Sequence, residues 1–423
     1  MNPPEYTAKR LRAFLEEIKR LAASEFPYGH SEEALQVLKK KFKHHLSILE
    51  DSATDEDLIE QECLLVNEGI MIYQPILGFI LRSTNVRNAF EVYGPILRLV
   101  GAILEPGLDI KKIRTRLILS SEWDYSPYVY RELPALPGFA LVGLPAPESS
   151  NPLLVPLFGH ELGHVIWERK EMELEVRHKL HDKIFEIIRE QWLDFQEVFH
   201  EHRETSPDNI EDNSAISEDL TLSLELALRQ AEESFSDFVG LYLFSNSFLH
   251  AFAYLISPGP PFARDVEYPH MKTRVKNLLN AAANYKMAIP FGYESLFEES
   301  INPKMTAADE FCLILAELAL DRIVNDLITK AKGIIVSSAF KKPSKKPTKK
   351  EQERILKMLR KVVPATDCNT LPDILNAAWK AYEDSHLWED IPHVMKKKDS
   401  VLKDLILKNI EVFEIEQIMG TPA

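Results

Sequence analysis

The sequence predicts a mainly α-helical protein that contains one short β-sheet. Apolar residues recur at helical spacing, with polar breaks, from residue 7 to about residue 105. The composition changes between residues 115 and 150, where two short apolar runs lie among prolines and predict strands. Helical periodicity returns in one long stretch from Ala307 to Ser337, and residues 351–418 predict further helices.

The first elements follow from local signals. The polar segment from Glu50 to Asp55 predicts a break between two helices. The two predicted strands are Leu117–Leu119 and Gly138–Gly143. The prolines that bound them are Pro134, Pro137, Pro145 and Pro147.

The most informative motif is the run His160-Glu161-Leu162-Gly163-His164, which has the form H-E-x-x-H. Apolar residues flank it on both sides and predict a buried helix that starts near Asn151 and Pro152. Histidines at i and i+4 lie on one face of a helix, where both imidazoles can bind one zinc ion while the glutamate faces a metal-bound water. The alternative is a chance motif, with histidines that only form hydrogen bonds in a buried helix.

A third ligand is expected because a catalytic zinc ion usually has three protein ligands and one open position. Glu233 and Asp237 are spaced i and i+4 within a second apolar helical pattern. This spacing predicts Glu233 as a ligand and Asp237 as the acid that holds a ligand imidazole. Glu232 is the weaker candidate, since adjacent glutamates on a helix are expected to face different ways. The alternative is an exposed acidic turn.

These motifs together resemble the gluzincin metallopeptidases, whose thermolysin-type members carry E-x-x-x-D-x-x-G after H-E-x-x-H. The segment 268–275 is similar to the H-P-P-x-x-x-R-I segment of HtpX-like and CAAX-protease-like gluzincins, with Tyr268 and His270 in place of the histidine and the second proline. The resemblance covers residues 153–278. It implies a zincin-like core, formed by a short β-sheet, the H-E-x-x-H helix and a glutamate-bearing helix, within a large helical protein.

The resemblance also implies Zn²⁺ as the cofactor, peptide-bond hydrolysis as the reaction, and a role for each matching residue. His160, His164 and Glu233 bind the metal, Glu161 is the general base, and Asp237 orients His160. Tyr268 or His270 stabilises the oxyanion. Weaker candidates for that role are Tyr242, His250 and Tyr254.

Two further expectations come with the resemblance. Arg274 is expected to form a structural ion pair, with a substrate clamp as the alternative. The strand Phe139–Leu144 is a candidate edge strand that pairs with an extended substrate, with an ordinary core strand as the alternative.

The long segment between the two motifs sets a geometric condition. At about 1.5 Å per residue, an outgoing helix from His164 to Arg203 is about 58 Å long, whereas the return from Ser217 to Glu233 covers about 24 Å. A helical hairpin over residues 168–220 therefore returns Glu233 to the histidines only if the outgoing helix bends or breaks between about Glu168 and Leu180.

The composition indicates which partners the protein binds and in which cellular compartment it lies. The net charge of −15 argues against nucleic acid as a partner. Three scattered cysteines predict a reducing compartment. No signal-peptide pattern and no run of about 18 apolar residues is found, which predicts a soluble, cytoplasmic protein without a membrane partner. The expected partner is a protein or peptide substrate, and a homo-oligomer is possible.

We divide the sequence into an N-terminal helical region (1–112), the metallopeptidase core with its hairpin insertion (113–338), a Lys/Pro-rich linker (339–350) and a C-terminal helical region (351–423). The lysine-rich run of the linker predicts a solvated segment, with a basic handle for an acidic partner as the alternative. The alternative to a peptidase is a catalytically inactive zinc-binding sensor or protein-interaction scaffold of zincin fold.

Overall fold

The structure is a computed structural model, and it describes most of the chain. The described residues are 3–51, 55–84, 90–108, 113–124, 127–130, 133–207, 210, 213–259, 263–339 and 346–420. The protein is mainly helical and has a short sheet, as the sequence predicts, but the sheet has three strands rather than the two predicted.

The secondary-structure elements are numbered along the chain. The helices are α1 (Pro3–Leu21), α2 (His30–Glu50), α3 (Glu56–Leu81), α4 (Tyr93–Leu104), α5 (Phe158–Arg169), α6 (Met172–Glu190), α7 (Trp192–Val198), α8 (Ser214–Asp219), α9 (Thr221–Phe244), α10 (Asn246–Ile256), α11 (Met271–Asn284), α12 (Ala307–Ser337), α13 (Lys349–Arg360), α14 (Leu371–Glu383), α15 (Pro392–Met395) and α16 (Lys398–Met419). The strands are β1 (Arg116–Glu122), β2 (Tyr128–Tyr130) and β3 (Phe139–Pro145).

Several predicted elements are confirmed by these bounds. The long helix predicted from Ala307 to Ser337 is α12. The break predicted at residues 50–55 separates α2 from α3, although residues 52–54 lie outside the described part of the chain. Both predicted strands are present as β1 and β3. Of the predicted linker, residues 340–345 lie outside the described residues.

The sheet has the strand order β1-β3-β2, which places β3 in the middle. It pairs in parallel with β1 along its whole length and antiparallel with β2 at Leu141, Val142 and Gly143. The prediction that Phe139–Leu144 is an edge strand is therefore wrong, because β2 hydrogen-bonds its second side. The three-residue strand β2 is too short to produce an alternating pattern in the sequence.

The chain divides into two compact units. Unit 1 comprises residues 1–101 and 107–152, and unit 2 comprises residues 102–106 and 153–423. In unit 1, α1, α2 and α3 pack against one another, and α2 and α3 also contact β1. Side chains such as Leu11, Phe42 and Phe79 fill this core together with Ile118 and Leu141 of the sheet.

This division differs from the predicted boundary near residue 112. The strands belong to the same unit as the N-terminal helices, because their apolar faces are buried against α2 and α3. The H-E-x-x-H helix α5 belongs to unit 2. In unit 2, α9 is the central helix, and it packs against α5, α6, α11, α12 and α14.

The helix that leaves the H-E-x-x-H motif breaks within the predicted window. Helix α5 ends at Arg169 and α6 begins at Met172. Between them, Glu171 adopts a left-handed conformation with φ of 50°. This break lets α6 pack against α9 and α12, and it removes the length conflict that the straight hairpin would have.

Helices α5 and α9 approach each other unusually closely. A Cβ atom at Gly163 would lie 2.4 Å from the Ser236 Cα, and one at Gly159 would lie 2.7 Å from the Gly240 Cα. Side chains cannot approach a neighbouring backbone at such distances, so this contact requires glycine on α5. The small residues recur at i and i+4 on both helices, which aligns the two contact faces.

Among the described helices, α3 is the one that is long and apolar enough to cross a membrane by length and composition, and 33% of its most apolar window is buried. Core helices of soluble proteins meet the same criterion, so this finding does not place α3 in a membrane.

The close contact predicts opposite effects for two glycine substitutions. Gly163→Ala should lower the free energy of unfolding by roughly 1–3 kcal/mol, since overpacked sites must shift backbone. Gly333→Ala in α12 is the matched control, because a Cβ there meets nothing within 4 Å. It should raise stability by roughly 0.5–1 kcal/mol, the usual helix preference for alanine. Urea unfolding of both variants measures the difference, and equal effects would contradict the close contact.

Candidate metal centre

The H-E-x-x-H residues face α9 from a buried position. On α5, Glu161 and His164 are buried at 3% and 6% exposure. Glu233 of α9 is also buried, at 7%. The Nε2 atoms of His160 and His164 lie 3.2 Å apart. The Glu233 Oε2 atom lies 3.2 Å from the His160 Nε2, and its Oε1 atom lies 3.5 Å from the His164 Nε2.

These spacings fit a single tetrahedral metal ion. Ligands about 2.0–2.1 Å from zinc in tetrahedral geometry are about 3.3–3.4 Å apart. The three observed donor separations, 3.2, 3.2 and 3.5 Å, bracket this value. The structure thus assembles His160, His164 and Glu233 as a group that could hold a metal ion.

One atom of the group is buried without a hydrogen-bond partner. The Glu233 Oε2 atom is near the His160 Nε2 but does not meet it in hydrogen-bonding geometry. A buried carboxylate oxygen without a partner is costly, and a bound cation would satisfy it. The donor set therefore fits a metal ion in both spacing and chemistry.

Each histidine has a carboxylate behind it. The His160 Nδ1 lies 2.9 Å from the Asp237 Oδ1, and the His164 Nδ1 lies 2.9 Å from the Glu232 Oε1. If each Nδ1 donates to its carboxylate, both Nε2 lone pairs face the same point. Asp237 thus lies behind His160, where the resemblance placed it.

Glu232 is the functional candidate that sequence reasoning misplaced. We expected this residue to face away because it is adjacent to Glu233, but it is buried at 4% exposure and contacts His164. Adjacent residues on a helix point about 100° apart, and the ring of His164 is long enough to reach both carboxylates. The Glu232-Glu233 doublet followed by Asp237 was the available signal.

Arg274 of α11 forms the ion pair that the sequence predicted. Its guanidinium donates to both oxygens of Asp237, at 2.6 and 2.9 Å, and lies 3.9 Å from the Glu233 Oε2. All three side chains are buried. Arg274 therefore fixes Asp237, which in turn contacts His160.

Burial and charge together set the protonation of the metal-free site. Burial lowers the pKa of His160, but the hydrogen bond to Asp237 and the nearby Glu233 carboxylate raise it to about 10. Burial raises the pKa of Asp237, yet the Arg274 charge and its hydrogen bonds lower it to about 2. At neutral pH His160 of the metal-free site is thus a positively charged imidazolium. A metal ion that binds its ring nitrogen must displace the additional proton.

The two main downstream candidates have different environments. Tyr268 is 39% exposed, and its ring lies 5.3 Å from the Arg274 guanidinium. The negative charge of Glu233, then burial, and also the charge of Glu161 raise the pKa of Tyr268. The His270 Nε2 instead lies 2.9 Å from the Ser300 carbonyl oxygen, and we find no contact between it and the described metal-ligand group.

The weaker candidates contact other parts of unit 2. Tyr242 packs edge-on against Tyr285. His250 pairs with Glu383 and stacks on Trp379, which Tyr254 also contacts.

A second group of potential ligands lies outside the motif. Atoms of Glu201, His202 and Asp219 lie within 4.8 Å of one another, with Glu201 exposed. The His202 Nε2 is only 2.6 Å from the Asp219 Oδ2, which is hydrogen-bond distance and too short for two ligands of one zinc ion. We therefore take the His160 group as the candidate centre.

Comparison of the chain with protein-family models, curated proteins and solved structures finds no match.

Metal content should depend on the first group. Purified protein should contain about one equivalent of metal per chain, and His160→Ala should lose it because one of three ligands is removed. His202→Ala is the control and should keep the metal. Elemental analysis measures all three proteins, and loss of metal in the control alone would reject the assignment.

Glu232 should contribute to metal affinity without binding the metal. Glu232→Gln should weaken binding roughly 10- to 100-fold, the usual effect of losing a hydrogen-bonded partner of a ligand histidine. Glu225→Gln, on the exposed face of the same helix, removes the same charge and should have little effect. Chelator competition gives both affinities; similar values for the two variants would show that the Glu232 contact is unimportant.

Proposed function

We propose that this chain is a zinc-dependent metallopeptidase of gluzincin type with a zincin-like core. The observation that carries the proposal is the spacing of the His160, His164 and Glu233 donor atoms on an H-E-x-x-H helix and its partner helix. Two imidazoles and one carboxylate form the ligand set of many catalytic zinc sites. Zinc in such a site supplies a Lewis acid that polarises a carbonyl group and makes water more acidic.

Glu161 is the general base in this proposal. It lies on α5 between the two histidines and is almost fully buried. Its carboxylate takes a proton from the attacking water and later passes that proton to the leaving amine, so the peptide bond is replaced by an acid and an amine. The proton is conserved across the two steps.

Tyr268 is the proposed oxyanion donor. A tyrosine phenol is protonated at neutral pH, and the pKa of Tyr268 is raised further, so its hydroxyl group can donate a hydrogen bond. Its partial exposure lets the hydroxyl meet a substrate, whereas the His270 Nε2 already has the Ser300 carbonyl as its partner. Arg274 and Asp237 act as positioning residues, because they contact the ligands rather than the substrate side of the site.

The proposed substrate is a protein or peptide, and the proposed compartment is the cytoplasm. Pairing of a substrate with Phe139–Leu144 is not part of this proposal, since both sides of β3 are already paired.

Glu161→Gln tests turnover separately from metal binding. It should keep the metal but lower the rate of peptide cleavage by roughly 10²- to 10⁴-fold, the usual contribution of a general base. Glu168→Gln, an exposed glutamate on the same helix, is the charge-matched control and should retain full activity. The measurement combines a peptide-library cleavage assay with elemental analysis.

Two results would reject the peptidase. One is unchanged cleavage by Glu161→Gln with metal retained. The other is wild-type protein that carries metal but cleaves no peptide, which would favour a zinc-binding sensor or interaction scaffold.

A further inference from the structure

A cavity in unit 2 has a charge opposite to that of the chain. It has a volume of about 590 Å³ and lies where α9 and α11 end and where α10 and α13 begin, beside α14. Four lysines and one glutamate line it: Lys286, Lys346, Lys349, Lys380 and Glu353. In the whole sequence, acidic residues outnumber lysines and arginines by 65 to 50. The cavity therefore concentrates positive charge on an acidic protein.

Most of this charge is uncompensated. The Lys380 Nζ donates to the Glu353 Oε1 at 2.9 Å, so these two charges neutralise each other. Within the described part of the chain, Lys286, Lys346 and Lys349 have no carboxylate partner. Three ammonium groups around one concave space repel one another unless an anion lies between them.

The backbone at Lys286 supports a role for its side chain. This residue follows the end of α11 and adopts a left-handed conformation with φ of 56°. Glycine or asparagine occupies such positions at lower cost. A lysine at this position lowers the stability of the fold slightly, and its ammonium group lines the cavity.

The size and surroundings favour a small ligand. The volume lies within the range of about 300–1,000 Å³ that small-molecule sites occupy. The rings of Tyr242 and Tyr285, 4.3 Å apart, supply an apolar part of the wall. The starts of α10 and α13 add the partial positive charge of helix N-termini. A large polyanion such as nucleic acid would be repelled by the net charge of −15.

We propose that this cavity binds a small molecule that carries several negative charges close together, such as a compound with a di- or triphosphate group. Lys286, Lys346 and Lys349 bind its anionic groups as point charges. The last two belong to the lysine-rich run of the predicted linker. This site is separate from the metal centre and does not depend on the proposed peptidase activity.

The test is a calorimetric titration of the full-length protein with inorganic tripolyphosphate. The variant Lys286→Gln/Lys346→Gln/Lys349→Gln should bind at least about tenfold more weakly than wild type, since three charge contacts are lost. The matched control is Lys9→Gln/Lys40→Gln/Lys43→Gln, which changes three exposed lysines of unit 1 and should bind like wild type. Tripolyphosphate also chelates metal ions, but that contribution is the same in both variants.

A parallel titration with citrate separates the two sources of the anionic groups. Tighter binding of tripolyphosphate identifies a phosphate ligand, and tighter binding of citrate identifies a polycarboxylate; either supports the proposal if the cavity variant weakens it. Absence of binding by both probes, or equal affinities for the cavity and control variants, would overturn it. All lysines changed are exposed, so circular dichroism should show both variants folded.

Discussion

The close packing of α5 on α9 is the constraint on which the candidate centre depends. Glycines on α5 let its backbone approach Ser236 and Gly240 to distances that no side chain would allow. Because the two helices are so near, short donors from each reach a common point. A separation larger by the width of one methyl group would move Glu233 out of range of both imidazoles, since zinc tolerates ligand distances within only about 0.2 Å.

The second determinant is the balance of buried charge. Four buried carboxylates, those of Glu161, Glu232, Glu233 and Asp237, lie on α5 and α9, the two helices that form the site. Arg274 is the buried guanidinium among them, and the partly exposed Arg229 lies 3.8 Å from Glu232. Buried negative charge in excess is costly in a low-dielectric interior. The proton on His160 compensates part of it in the metal-free protein, and a divalent cation would compensate more.

Local patterns predicted the elements better than their arrangement. The 31 residues of α12 repeat the helical period long enough to fix both ends. The order of the strands was not predictable, because pairing of β3 with β2 depends on chain reversal through a segment with no pattern of its own. The pentapeptide motif identified three site residues, and the i and i+4 spacing of Gly159 and Gly163 is a local sign of the contact face with α9.

The sequence by itself determined that His160 and His164 share one helical face, and that Glu233 and Asp237 share another, because helical period is a local property. It also determined a mainly helical chain of acidic composition. Only the tertiary structure decided that Glu232 reaches His164 and that the strands belong to unit 1. The same is true of the lysine cavity, whose residues are distant in sequence. These features depend on which faces pack together, and burial of apolar surface across the whole chain sets that choice.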